Sequence, residues 1–309
     1  MTSEKIITNN KKKKINAPFG YFGSKNKIAL QLCAQLPPHN CWVEAFCGSA
    51  ALTLRKEPSS IEVINDIDDE IINFFEQLRT NFDALYKAVE LTPYAEGELI
   101  NARVKICDLN NLERARRFLV QSMMAINGVF GEEKGGFSYS DSYTRNGHDA
   151  RVNRWNNLPN RLSQVVKRLK DVRIENKNAI RLIRRYLYRP ATLMYLDPPY
   201  LGNRTMGYSK DANDEKFHLR LLETANEANC MIFISGYEND LYSSVLSEKK
   251  GWRTKIIETA TKDAKGNNHH RTEMVWMNKH FVNALQTKIV PITLTEKEKK
   301  QGKVNPERK

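Results

Sequence analysis

The stretch Thr192-Leu193-Met194-Tyr195-Leu196-Asp197-Pro198-Pro199-Tyr200 joins an apolar run to a chemically unusual turn. Pro190 on one side and the proline pair on the other bound the run Thr192–Leu196, which predicts a buried strand ending at Asp197. In open α/β sheets, ligands bind where the parallel strands end. The two prolines have no backbone N–H and leave their carbonyls available as acceptors. The turn thus offers a carboxylate, a carbonyl and a flat ring, which suit a planar group bearing an amine.

A structural alternative for the same four residues is a strand-ending turn whose tyrosine packs on the surface. A four-residue string can occur by chance, so the surrounding pattern has to decide between the two interpretations. Strand and helix patterns alternate on both sides of a helical segment at about 80–170, within which 112–126 is a helix and 127–157 is glycine-rich and polar. This order predicts one doubly wound α/β sheet with an inserted domain.

The predicted strands are 41–46, 61–66, 172–175, 192–196 and 230–236, followed by an antiparallel pair at 253–259 and 272–277 with a loop at 261–271. Helices are expected at 27–36, 68–79, 214–229 and 239–246, with a short one ending near 55 and a basic one before the Asp197 strand.

Charge is distributed unevenly along this chain of 309 residues and net charge +13. The segment 145–189 holds thirteen Lys and Arg residues against three acids, and the ends of the chain are also basic. Solvated helix faces are the alternative explanation, but such a concentration favours a polyanionic partner, whose phosphates supply affinity independent of sequence.

The cysteines and histidines argue against several classes of site. The five cysteines are odd in number and form no CxxC pair, and the six histidines show no metal-ligand spacing. We therefore expect thiols in a reducing compartment and no metal site. No apolar run reaches the length of about 18 residues that a membrane span needs, so we expect a cytoplasmic protein with no membrane partner.

A second group of motifs precedes the Asp197 strand. Pro18-Phe19-Gly20-Tyr21-Phe22-Gly23-Ser24-Lys25 forms an anion-friendly turn before a helix, although its spacing is not that of a P-loop. Phe46-Cys47-Gly48-Ser49-Ala50 follows the first strand, and Asp66 ends the next one, where a carboxylate can bind ribose hydroxyls. Together these features predict a nucleoside site without a pyrophosphate cradle.

In this order the motifs resemble the Dam-type adenine-specific DNA methyltransferases over residues 18–280. The closing segment Arg271–Asn278, which contains Glu273, and Gly236 are also similar to late elements of that family. The resemblance implies a Rossmann-like class I methyltransferase sheet, S-adenosylmethionine as cofactor and an inserted, mostly helical target-recognition domain. It also implies double-stranded DNA as partner, a bacterial or phage-infected cell as the setting, and a cognate restriction enzyme as a companion in some members.

The resemblance assigns roles residue by residue. Asp197, the Pro198 carbonyl and Tyr200 are the expected catalytic groups, with Tyr200 stacking on a flipped-out adenine. The expected cofactor-binding residues are Tyr21, Gly23, Ser24, Lys25, Phe46, Gly48, Asp66, Asn178 and Asp197. Two departures stand out: Ala50 occupies the place of a second glycine, and Asn178 replaces an acid that contacts the adenine of the cofactor.

The implied domains are a disordered basic tail at 1–15, a catalytic domain at 16–76 and 172–294, a DNA target-recognition insertion at 77–171 and a disordered tail at 295–309. Arg145, Arg151 and Arg154 of the insertion are the expected DNA contacts. The predicted function is methylation of the 6-amino group of adenine in duplex DNA. Methylation of the cytosine amine or of adenine in RNA stays open, as does a non-catalytic DNA-binding protein on the same fold.

Overall fold

The computed structural model describes residues 15–20, 25–126, 128, 135–141, 143–145, 147–201, 214–262 and 268–292. Within them the strands are β1 (Cys41–Glu44), β2 (Ile61–Asn65), β3 (Thr144–Arg145), β4 (His148–Asp149), β5 (Val172–Glu175), β6 (Thr192–Leu196), β7 (Met231–Gly236), β8 (Arg253–Lys262) and β9 (Asn268–Met277). The helices are α1 (Ala29–Cys33), α2 (Ala51–Arg55), α3 (Asp69–Thr80), α4 (Phe82–Glu90), α5 (Glu96–Arg103), α6 (Asn111–Met124), α7 (Ala150–Asn156), α8 (Leu158–Leu169), α9 (Ala179–Tyr186), α10 (Glu215–Asn226), α11 (Asp240–Val245) and α12 (Lys279–Thr287).

One sheet of seven strands, in the order β5-β2-β1-β6-β7-β9-β8, organises the described part of the chain. The first five strands in this order are parallel, whereas β9 runs antiparallel to both β7 and β8. The central strands are continuous apolar runs because helices cover both faces of the sheet. The predicted Rossmann-like α/β sheet with an antiparallel closing pair is therefore confirmed.

Helices pack on both faces of this sheet. Because successive strand residues point to opposite faces, each strand contributes to two cores. Ile64 and Tyr195 belong to the core that contains α3, α6 and α8. Val63 and Met194 belong to the other core, with α9, α10 and α11. The helices between β2 and β5 thus pack on one face, and the helix between β5 and β6 packs on the other.

Arg168 of α8 joins the segment between β2 and β5 to the sheet. Its guanidinium donates to both carboxylate oxygens of Glu62 on β2, and the distance from Nη2 to Oε1 is 2.9 Å. Nη2 also donates to the Thr53 carbonyl at 2.8 Å. Lys56 binds the same carboxylate at 2.6 Å. Burial alone would raise the pKa of Glu62, but Arg168 and Lys56 bring it below its ordinary value. Arg168 therefore serves internal packing, so the basic segment 145–189 does not act as a whole on a polyanion.

Three predicted boundaries were wrong. The strands β8 and β9 extend through most of the predicted loop at 261–271, because the ladder continues through backbone pairs such as Lys262 with Asn268 despite their polarity. The polar stretch 127–157 contains α7, which begins after Asp149, whose side chain accepts from Arg151 N at 2.6 Å. The helix expected at 27–36 is only α1, preceded by a 3-10 turn at Lys25–Lys27.

Other expectations concern the ends of the chain, membrane crossing and metal binding. The tails predicted at 1–15 and 295–309 lie outside the described residues, apart from Ile15. Among the described helices, none combines the length and apolarity that a membrane crossing requires. The described residues also contain no group of three or more His, Cys, Asp or Glu side chains that could hold a metal ion.

Candidate active site

The candidate site lies at the carboxyl edge of the sheet, between two adjacent parallel strands. Phe46 follows β1 and Asp197 follows β6, and the two strands pair with Glu44 opposite Tyr195. The chain leaves β1 toward β2 on one side, and it leaves β6 toward β7 on the other. This is a topological switch point, where open α/β sheets form their ligand crevice.

Asp197 is held by side chains from two other parts of the chain. Its Oδ1 accepts from Lys25 Nζ at 2.8 Å and from Ser235 Oγ, on β7, at 3.2 Å. Tyr195 in turn contacts Ser235 Oγ at 2.7 Å through its hydroxyl. Among the described residues, the side-chain donors thus approach Oδ1, and they orient the carboxylate without using Oδ2.

Tyr200 completes a buried polar cluster with Lys25 and Glu273. The Tyr200 hydroxyl accepts from Lys25 Nζ and lies 2.6 Å from Glu273 Oε1 but 3.1 Å from Asp197 Oδ1. A hydroxyl has one hydrogen, so its shorter contact makes Glu273 the main acceptor. Lys25 Nζ is also 3.4 Å from Glu273, which leaves the ammonium between two carboxylates.

Burial sets the electrostatics of this cluster. It raises the pKa of Glu273, a shift that Lys25 opposes and Asp197 reinforces. Burial, together with the charges of Asp197 and Glu273, also raises the pKa of Tyr200 well above its ordinary value. Tyr200 is only 7% exposed, while Tyr237, whose ring centroid lies 4.5 Å from that of Tyr200, is 37% exposed. The Tyr200 hydroxyl is thus part of a buried polar cluster, a contact that the sequence did not predict.

The turn after β1 is tied to the end of β2 by Asp66. Gly48 N donates to Asp66 Oδ2 at 2.8 Å, and Asp68 N donates to Oδ1 at 3.0 Å. Gly48 has φ 46° and Ala50 has φ 54°, so both lie in the left-handed region that favours glycine. Burial raises the pKa of Asp66 to about 6. Both carboxylate oxygens of Asp66 therefore accept from backbone N–H groups, one of which belongs to the turn after β1. The sequence predicted a contact with ribose for Asp66 but not this structural role.

Asn178 occupies the N-cap of α9. Its Oδ1 accepts from Ile180 N at 3.1 Å and from Arg181 N at 3.3 Å, which satisfies donors of the first helical turn. Asn178 also lines a cavity of about 370 Å³ with Phe217, whose ring meets that of Phe46 edge to face at 6.4 Å. Phe46 and Asn178, which were predicted from different motifs, are thus both close to Phe217.

A basic cavity of about 650 Å³ lies between the β3–β4 hairpin and the helices that follow it. All three arginines predicted to contact DNA line it, together with Asn16, Tyr139, Ser140, Tyr143, Ala150, Asn153, Asn157 and Arg161. Tyr139 and Tyr143 are each 66% exposed there.

The inner wall of this cavity contacts the N-terminal motif. Arg161 donates to the Pro18 carbonyl at 3.4 Å, and Arg154 Nη2 would lie 3.4 Å from a Cβ added to Gly20. Burial, with the charge of Arg151 beside it, lowers the pKa of Arg154. Arg154 is therefore partly a packing residue, whereas Arg145 and Arg151 are exposed.

The sequence profile of the D12 class N6 adenine-specific DNA methyltransferases matches residues 21–271, which is most of the chain. The chain belongs to this family. It is accordingly an enzyme whose substrate is DNA and whose target is adenine, and the alternatives of cytosine, RNA and a non-catalytic protein are set aside. A comparison with curated protein sequences finds no match.

Two solved structures cover most of the chain at low identity. One is a putative rRNA methylase from Clostridium thermocellum, with 12% identity, a TM-score of 0.36, and coverage of 82% of this chain and 96% of its own. The other is precorrin 8w decarboxylase of Methanobacterium thermoautotrophicum, with 9% identity and a TM-score of 0.33. The match covers 85% of this chain and 94% of the decarboxylase chain. The assignment of the fold of this methyltransferase therefore depends on the order of the strands in its own sheet.

In this methyltransferase, Lys25 is hydrogen-bonded to Asp197 and to Tyr200, and Gly48 is hydrogen-bonded to Asp66. Tyr21, Gly23 and Ser24 lie outside the described residues. The sequence assigned no role to Glu273 or Ser235, which belong to the same cluster. Glu273 carries a signal that was available: it is a carboxylate directly before the apolar run Met274–Met277 of β9.

Proposed function

We propose that this enzyme transfers the methyl group of S-adenosylmethionine to the 6-amino group of an adenine that is turned out of duplex DNA. The observation that carries the proposal is the oriented carboxylate of Asp197 at the switch point of the sheet. A base inside a duplex cannot reach such a buried position, so it has to leave the stack.

The residues around the β1 turn suit the cofactor. Phe46 offers an apolar wall, Gly48 lets the backbone approach closely, Asp66 offers a carboxylate to a hydroxyl donor, and Asn178 offers its side-chain NH2 group as a donor. Lys25 borders the same crevice, and we include Tyr21, Gly23 and Ser24 by their place in the family motif. S-adenosylmethionine supplies a methyl group on a positively charged sulfur.

Asp197 and Pro198 activate the amine in this proposal. The lone pair of the adenine amine is delocalised into the ring, which makes it a weak nucleophile. Asp197 Oδ2 and the Pro198 carbonyl accept its two hydrogens, which favours a pyramidal nitrogen whose lone pair points at the methyl carbon. Asp197 then stabilises the positive charge that develops on nitrogen and holds the proton that leaves it. Alignment of the two reactants supplies much of the remaining rate.

The segment 77–171 is proposed to recognise the DNA target, within a catalytic domain formed by 16–76 and 172–294. Support comes from the exposed Arg145 and Arg151 and from the exposed tyrosines in the same basic cavity. The contacts of Arg154 on α7 with Gly20 and of Arg161 on α8 with Pro18 connect this segment to the N-terminal motif that ends at Lys25. Where a cognate restriction enzyme accompanies the methyltransferase, DNA that it has methylated should resist that nuclease.

The experiment that tests the proposal incubates the protein with unmethylated duplex DNA and labelled S-adenosylmethionine, and identifies the methylated nucleoside by mass spectrometry. We expect label on the 6-amino group of adenine. Asp197→Ala should lose more than nine tenths of the single-turnover rate while its affinity for cofactor and DNA changes little. Asp141→Ala removes an exposed acid of the hairpin region and serves as the control. Label on cytosine, or a substantial rate for Asp197→Ala, would contradict the proposal.

A further inference from the structure

The helix α9 presents a continuous basic face to solvent. Arg181, Arg184 and Arg185 of the helix are exposed, and Tyr188 and Arg189 continue the pattern in the turn after it. The intervals between these residues place them on one side of a helix, at i, i+3, i+4, i+7 and i+8. We call these five residues the α9 basic face. The opposite side of α9 is buried in the core of the sheet.

Few acids offset the charge around the α9 basic face. Arg173, Lys177 and Arg220 add positive charge beside it. Glu175 is shared by Arg173, Lys177 and Arg185, at distances of 3.0, 2.5 and 2.8 Å, so one carboxylate serves three cations. Two cavities adjoin the face. One of about 370 Å³ lies at the start of α9, and one of about 600 Å³ lies at its end.

This face lies on the opposite side of the sheet from the cavity lined by Arg145 and Arg151. The helix α8, which follows that cavity, packs into one core, and α9 packs into the other. DNA has a persistence length of about 150 base pairs, so a short duplex behaves as a stiff rod. A duplex held between the Arg145 cavity and Asp197 could not also bend around the sheet onto α9.

We propose that the α9 basic face binds the phosphate backbone of a second DNA segment, separate from the segment that is methylated. From Arg181 to Arg185 the helix rises about 6 Å, and Tyr188 and Arg189 extend the face beyond the end of α9 at Tyr186. One DNA strand carries a phosphate about every 3.4 Å along the helix axis, so the face spans at least two phosphates. The Tyr188 hydroxyl can donate to a phosphate between the arginines. The inference rests on DNA being the substrate of this enzyme and goes beyond the proposed chemistry.

The test counts duplexes bound to one protein chain by native mass spectrometry, with an excess of a duplex of about 20 base pairs, which is far below the persistence length. The test variant combines Arg181→Gln, Arg184→Gln and Arg189→Gln, and it keeps Arg185 because that residue pairs with Glu175. The control variant combines three exposed lysines outside α9, namely Lys87→Gln, Lys249→Gln and Lys255→Gln. Both variants lose the same net charge.

We expect the wild type and the control variant to give a mass of one chain with two duplexes, and the test variant to give one chain with one. The salt dependence of the second binding step should have a slope of about −0.9 for each phosphate contacted. Methylation of adenine should be unchanged in the test variant when it is assayed at saturating S-adenosylmethionine, a condition that is needed because Arg181 and Arg184 line the same cavity as Asn178.

Two results would overturn the inference. If the wild type holds a single duplex while still methylating it, the proposed function stands and the second site does not exist. If the test variant loses the first duplex together with methylation, α9 belongs to the substrate cleft. Absence of methylation in the wild type would instead count against the proposed function, and the duplex count would still decide the second site.

Discussion

Lys25 and Asp197 are separated by 172 positions in the chain, yet Lys25 Nζ lies 2.8 Å from Asp197 Oδ1. The Lys25 side chain is buried, and it reaches the end of β6 from the turn before α1. Glu273 lies 3.4 Å from the same ammonium, so two carboxylates compete for one cation. The position of Lys25, and with it the orientation of Asp197, therefore depends on a residue of the antiparallel strand β9.

Glu273→Gln should slow methyl transfer without weakening substrate binding. The amide keeps the size of the carboxylate but loses its charge, so Lys25 and Tyr200 lose a charged partner. Hydrogen bonds to charged groups contribute about 1.5–3 kcal/mol, which corresponds to a fall in kcat of roughly 10- to 100-fold. Steady-state kinetics should show this fall in kcat with little change in KM for DNA. Because Glu273 acts through its neighbours, we regard it as a positioning residue.

The control for this substitution is Glu258→Gln on the neighbouring strand β8, where the side chain is exposed. It should leave both kinetic constants unchanged. Glu273→Asp restores the charge at a shorter reach and should recover part of the lost rate. A wild-type kcat in Glu273→Gln would exclude the positioning role.

Local patterns were sufficient to predict the sheet and to nominate many residues of the candidate site. The apolar runs of β1, β2, β6 and β7 and the turns after them are contiguous in sequence, so the strand ends and their polar residues could be read directly. Asp197 and Asp66 were found for this reason. The antiparallel direction of the closing pair followed from the lack of a helix between its strands.

What could not be predicted depends on contacts between distant segments. Neither Arg168 nor Glu62 carries a local sign of their buried ion pair, which forms only when α8 packs on the sheet. The same holds for Glu273, which reaches Tyr200 through the pairing of β9 with β7. A positive φ at Ala50 likewise follows from tertiary packing, since alanine itself does not favour that conformation.

Arg145→Gln combined with Arg151→Gln should weaken the binding of substrate DNA and flatten its salt dependence. Both side chains are exposed in the basic cavity, so their removal should disturb the fold little. Loss of two phosphate contacts should reduce the slope of log K against log salt by about 1.8. Fluorescence anisotropy of a labelled duplex at trace concentration, recorded at several salt concentrations, measures this slope. Lys249→Gln with Lys255→Gln is the charge-matched control, and an equal change in slope for both pairs would contradict a specific role for the cavity.

Glu44 should make the stability of the fold depend on pH. It is buried at the end of β1, accepts from Thr53 N at 3.0 Å, and burial raises its pKa from 4.5 to about 7. A raised pKa means that the folded state holds the proton more tightly than the unfolded state. The resulting stabilisation is complete below about pH 4.5 and is lost as the pH rises through about 7.

Glu44→Gln removes this titration while keeping an oxygen acceptor for Thr53. We expect Tm of the wild type to fall more steeply between pH 6 and pH 8 than Tm of Glu44→Gln, in which the raised pKa values of Asp66, at about 6, and of Glu273 still contribute. The difference between them at pH 8 should be at most about 3 kcal/mol in free energy of unfolding. Glu76→Gln, an exposed change on α3, should follow the wild type. Parallel curves for wild type and Glu44→Gln would assign the pH dependence to other groups.

Arg168→Ala should destabilise the protein far more than the loss of a surface ion pair does. The Arg168 and Glu62 side chains are 9% and 2% exposed, and Arg168 also satisfies the Thr53 carbonyl. Its removal leaves the buried carboxylate with Lys56 as its remaining cation and Ser59 N as a further donor, and breaking a buried pair costs about 3 kcal/mol or more. The exposed pair Arg253–Glu248 is the internal comparison, since its side chains are 61% and 75% exposed.

Urea unfolding of both alanine variants measures the difference. Arg253→Ala should change the free energy of unfolding by less than about 1 kcal/mol, because water and salt screen an exposed pair. Arg168→Met retains most of the aliphatic packing and separates the loss of charge from the loss of volume. If Arg168→Met were as stable as the wild type, packing alone would hold α8 on the sheet. If Arg168→Ala and Arg168→Met lose similar amounts of unfolding free energy, the ion pair is what attaches the segment between β2 and β5 to the sheet.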